Sequence, residues 1–108
     1  MDNTSPFVAM QRVETALKTL IRQVDDDTLQ PAEKKAMTSI RRLATDARLD
    51  IRDYELSETR EEQLKCAVKA KKRLAKLQAA ILVAGMAFGP ADVAQISAQC
   101  EQINGWLV

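Results

Sequence analysis

Asp46, Asp50 and Asp53 step by four and three, so on an α-helix their carboxylates share one face, and Glu58 and Glu62 share another. Carboxylates gathered this way can hold magnesium for phosphate chemistry. Arg42, Arg48 and Arg52 stand close enough in sequence to neutralise them on a solvated face instead. No Gly-rich phosphate loop accompanies them, which favours the solvated face. The run Asp25–Asp27 lacks the alternating spacing and distal glutamate of a calcium loop.

Other catalytic chemistry is poorly supplied. The chain contains no histidine, which excludes Ser-His and Cys-His nucleophiles and the Glu-x-x-His pairs of di-iron bundles. Cys66 and Cys100 are too few and too far apart for a disulfide framework and have no CxxC spacing. Cys100 falls on an apolar stripe and Cys66 beside one, so both are expected to pack rather than react. No catalytic residue, metal ligand or cofactor site is assigned.

Two surface features remain. Lys65, Lys69, Lys72 and Lys76 recur at helical spacing and, with Lys71 and Arg73, make residues 65–76 a block of six cations without an acid. Residues 46–62 hold seven acids against three arginines, so the middle of the chain is electrically polarised. The lysine row could follow a phosphate backbone, but it lacks the arginine, asparagine and aromatic groups that usually read bases. The second feature is apolar. Leu49 and Leu56 lie seven apart on the face opposite the main stripe of their helix, with Leu43 between the two faces. Trp106 also stands off its stripe. An extra apolar face implies a second layer or a partner, so Leu43, Leu49, Leu56 and Trp106 form the expected partner-binding set.

These residues must be carried by helices. Residues 57–88 form the spine: Ala67, Ala70, Leu74, Leu77, Ile81, Ala84 and Phe88 alternate steps of three and four, while the lysines point elsewhere. Ser5-Pro6 opens a first helix with Met10, Val13, Leu17, Leu20 and Val24 on its stripe, which the Asp25–Asp27 run closes. Pro31 and Glu33 open a second, striped by Met37, Ile40, Ala44, Ala47, Ile51 and Tyr54. Continuing its register would bury Glu58, Glu61 and Lys65, so a turn is expected between Glu55 and Gln63, with Ser57 or Thr59 as cap. The rival is one helix from Pro31 to Met86. Gly89-Pro90 introduces a last helix carrying Val93, Ile96, Cys100, Ile103 and Leu107.

With 108 residues, three glycines, three prolines and no alternating β pattern, the chain reads as one all-α domain. The expected architecture is an antiparallel bundle of about four heptad-striped helices, near 5–24, 31–56, 58–87 and 91–107, the middle two longest. Residues 1–4 are expected to be loose. The start has no basic or apolar leader pattern and the longest apolar run is too short to span a bilayer, so a reducing cytoplasm is expected. The function these features favour is a non-catalytic helical interaction module (an adaptor, chaperone-like binder or assembly subunit) that associates with itself or another protein. The alternative is a nucleic-acid-associated protein using Lys65, Lys69, Lys72, Arg73 and Lys76. A carboxylate-metal hydrolase ranks third.

Overall fold

The computed structural model describes residues 5–107, without the Met86 side chain. Residues 1–4, expected to be loose, lie outside the described residues. The protein is an all-α bundle: α1 (Pro6–Gln23), α2 (Pro31–Leu56), α3 (Arg60–Val83), a one-turn α4 (Gly85–Phe88) and α5 (Pro90–Trp106).

Local chemistry sets the ends. The Ser5 hydroxyl accepts a hydrogen bond from the Val8 amide at 3.2 Å, and Pro6 follows where no N–H is required. After α1 the acids form a 3₁₀ turn, Asp26–Thr28, in which the Asp25 carboxylate accepts from the Asp27 amide at 3.1 Å. At the start of α2, the Gln30 amide donates to the Glu33 carboxylate at 2.9 Å.

The register conflict between the middle helices is resolved by a turn. α2 stops at Leu56, and Thr59 caps α3 by accepting from the Glu62 amide at 3.2 Å. Ser57 serves the other end: its hydroxyl donates to the Asp53 carbonyl at 2.7 Å, closing α2. The two helices then pack as the broadest pair in the bundle. Ala44, Ala47, Ala67 and Ala70 are all buried, and side chains this small let helices approach closely. Leu74, Leu77 and Ile81 of α3 complete a core with Met10, Val13 and Leu17 of α1 and with Ile96, Cys100 and Ile103 of α5.

Two stripes differ from their sequence reading. In α1 the buried position is Ile21, while Leu20 and Val24 are half-buried, so the core face is rotated by one residue near the helix end. The spine does not run unbroken to residue 87. It ends at Val83, with Ala84 at φ −89°, ψ 2°, and restarts as α4. The offset keeps Phe88 buried while turning the chain toward α5, and Val93 comes within 3.7 Å of the place where a Gly85 Cβ would stand.

Gly89 completes the reversal with φ 88° and ψ 145°, a conformation almost confined to glycine. A Cβ there would meet no atom within 4 Å, so Gly89→Ala isolates backbone strain. The expected loss is about 1–3 kcal/mol of unfolding free energy, measured by urea denaturation. Unchanged stability would mean that the turn relaxes freely.

Candidate interaction site

The acidic face of α2 is built against α3. Asp50 is buried, and its Oδ2 accepts from Arg73 Nε at 2.8 Å, while Arg73 Nη1 reaches Asp46 Oδ2 at 3.1 Å. Lys69 adds its charge 3.9 Å from Asp50. The hydrogen bond to Asp50, opposed by burial and assisted by the two carboxylate charges, raises the Arg73 pKa further above its already high value. The expected solvated face is thus partly an interhelical clamp, and α3 rather than a neighbouring arginine of α2 supplies its cation. Only Asp53 stands exposed, near Arg52 at 3.9 Å. Among the described residues, no group of three or more His, Cys, Asp or Glu side chains is gathered so as to hold a metal ion.

A second ion cluster joins α1 to α2. Glu14 is buried beside the α1 stripe. Its Oε2 accepts from the Thr45 hydroxyl at 2.8 Å and from Lys18 at 3.3 Å. Arg48 Nε lies 2.8 Å from its Oε1, but the N–H is not aimed into a hydrogen bond, so that contact is coulombic. Burial pushes the Glu14 pKa up. The Thr45 and Lys18 hydrogen bonds and the Lys18 and Arg48 charges outweigh it, leaving the carboxyl below its ordinary value. Sequence reading missed this cluster; the available signal was a glutamate flanked by the stripe residues Met10, Val13 and Leu17.

The four expected partner-binding residues do not form one surface. Leu43 is 8% exposed and belongs to the core, so it is not available to a partner. Its place between the two faces of α2 turns it inward. Leu49 is half-buried, whereas Leu56 is 69% exposed beside the turn. Trp106 packs half-buried against the core, and its carbonyl accepts a long 3.4 Å hydrogen bond from the Tyr54 hydroxyl. Of the cationic set, Lys65, Lys69, Lys72 and Lys76 are exposed, with Lys65 lying 3.7 Å from Glu61. Arg73 belongs to the clamp. Cys66 is half-buried, and burial, with the charge of Glu101, pushes the buried Cys100 thiol up to about 11. At neutral pH Cys100 is therefore an unreactive thiol.

The most continuous apolar exposure lies on α3. Leu64, Val68 and Leu82 are 43%, 53% and 71% exposed, Val83 is 56% exposed, and Ala75 and Ala79 are also open. On a helical projection Leu64, Val68, Ala75 and Leu82 form a row that lies across α3 from Arg73, the residue that reaches α2, while Val83 stands to one side. From Leu64 through Val68, Lys71, Ala75 and Gln78 to Leu82 the steps are 4, 3, 4, 3, 4, the spacing of a helix-pairing seam.

Compared with known proteins, the chain matches no family model, no curated protein and no solved structure. Among the described residues, no helix is long and apolar enough to cross a membrane.

Proposed function

We propose that the protein is a small helical interaction module that pairs with a second copy of itself through the outer row of α3. The supporting observation is that row: three large apolar side chains, Leu64, Val68 and Leu82, each 43–71% exposed, at coiled-coil spacing. A second copy is favoured because the spacing reads the same from either end. Antiparallel pairing about a two-fold axis near residue 73 sets Leu64 opposite Leu82 and Ala75 opposite Lys71, so one patch complements itself.

Magnitudes place the association in the weak class. The row is about 27 Å long, and two helices about 10 Å wide meeting over that length bury on the order of 1,000 Å² in total, near the lower edge of stable interfaces. Lys71, on the row itself, would stand about 6 Å along the axis from its own copy. An exposed like-charge pair costs a few tenths of a kcal/mol, against about 1.5–3 kcal/mol for each fully buried leucine, so apolar burial wins.

Nucleic-acid association ranks second. Lys65 and Lys69 each already have a carboxylate within 4 Å, which leaves Lys72 and Lys76 as the strongest remaining cations of the row. Light scattering across a concentration series tests the leading reading. The mass should rise from 12.0 kDa toward twice that value over micromolar concentrations. A mass fixed at the monomer value up to about 1 mM would contradict it.

A further inference from the structure

A groove of about 650 Å³ opens between α1 and α2, lined by Lys18, Arg22, Arg41, Arg42, Thr45 and Asp46. Its charges do not cancel locally. Asp46 is engaged by Arg73 at 3.1 Å, and Lys18 by Glu14 at 3.3 Å. Arg22 reaches only the Thr19 hydroxyl, at 3.5 Å, and among the described residues neither Arg41 nor Arg42 makes an ion pair. Three guanidinium groups thus converge on one recess without a carboxylate of their own.

We infer that this groove is a binding site for a small, multiply charged phosphate-bearing anion. Guanidinium is the cation best matched to phosphate oxygens, because its planar fork can donate two parallel hydrogen bonds. Arg22 on one helix and Arg41 and Arg42 on the other can approach such an anion from two sides. The volume lies within the range of small-molecule sites. A polymer is disfavoured by what surrounds the recess: Asp26 lines the adjoining depression with Arg41, interrupting any continuous cationic track. The site uses none of the α3 row, so it stands or falls separately from self-pairing.

Equilibrium dialysis of the natural chain against inorganic tripolyphosphate, at about 0.15 M salt, tests the site. Saturable binding of one anion per chain is expected. The double variant Arg41→Gln, Arg42→Gln should weaken it at least roughly tenfold with an unchanged helical circular dichroism spectrum, because both residues are exposed. Lys72→Gln, Lys76→Gln on α3 should change it less than about twofold. No saturable binding at millimolar tripolyphosphate would overturn the assignment. Equal weakening by both double variants would also do so, since it would indicate diffuse charge. Tighter binding of a single-stranded oligonucleotide than of tripolyphosphate, through the same arginines, would replace the small anion with a polymer and equally refute the proposal.

Discussion

Glu14→Gln is expected to lower the unfolding free energy by about 1–3 kcal/mol at neutral pH. The substitution keeps the shape of the side chain and an acceptor for the Thr45 hydroxyl, but it removes the charge that Lys18 and Arg48 share. Lys18, with 43% of its side chain exposed, can turn toward water; Arg48, with 25%, has less freedom. The cost should therefore come mostly from Arg48, whose buried Nε would face a neutral amide. The same variant tests the acid limb of stability. Because the folded Glu14 pKa lies below its ordinary value of 4.5, its contribution is fully present above that pH and is lost as pH falls through the folded value. Urea denaturation at several pH values should show the natural protein weakening in acid more steeply than the variant. Equal neutral stability and parallel acid profiles would show that the cluster contributes nothing net.

Leu82→Glu should leave the monomer folded while raising the dimer dissociation constant at least tenfold. Leu82 is the most exposed of the α3 apolar residues at 71%, so a carboxylate there remains in water in the free chain. In a two-fold pair each substitution counts twice. Losing two leucine contacts worth about 1.5 kcal/mol each corresponds to roughly a hundredfold, and incomplete burial reduces that figure. Leu56→Glu provides the contrast: Leu56 is 69% exposed but lies beside the turn, off the seam, and should leave association nearly unchanged. If Leu82→Glu unfolds the chain, the row is structural; if it leaves association intact, the seam lies elsewhere.

Much of the fold was legible because helix stripes and caps are local signals. All seven spine residues, Phe88 included, are buried as their spacing implies, and the turn at Ser57–Thr59 followed from a register conflict together with its capping residues. The break after Val83 was less visible, since nothing in the stripe shows that Phe88 reaches the core from a separate turn. The ion clusters were hidden for a different reason. Asp50 and Arg73 are 23 residues apart, and only the α2–α3 packing brings them to 2.8 Å. The outer row of α3 was written in the sequence at steps of four and seven, but the stronger inner stripe on the same helix masked it. Leu43 shows the reverse error: it sits between two faces, and packing decided which face it joined.

The most direct test of self-pairing is an interchain distance. Spin labels at Ala75→Cys or Glu61→Cys, each in a Cys66→Ser chain that keeps Cys100 buried, report the centre and the outer end of the seam. Antiparallel pairing about residue 73 puts the two residues 75 about 6 Å apart along the axis and the two residues 61 about 36 Å apart, at 1.5 Å rise per residue. A short distance for the Ala75 label together with a long one for the Glu61 label is the predicted result. Two short distances, or no interchain signal at concentrations near 1 mM, would contradict it.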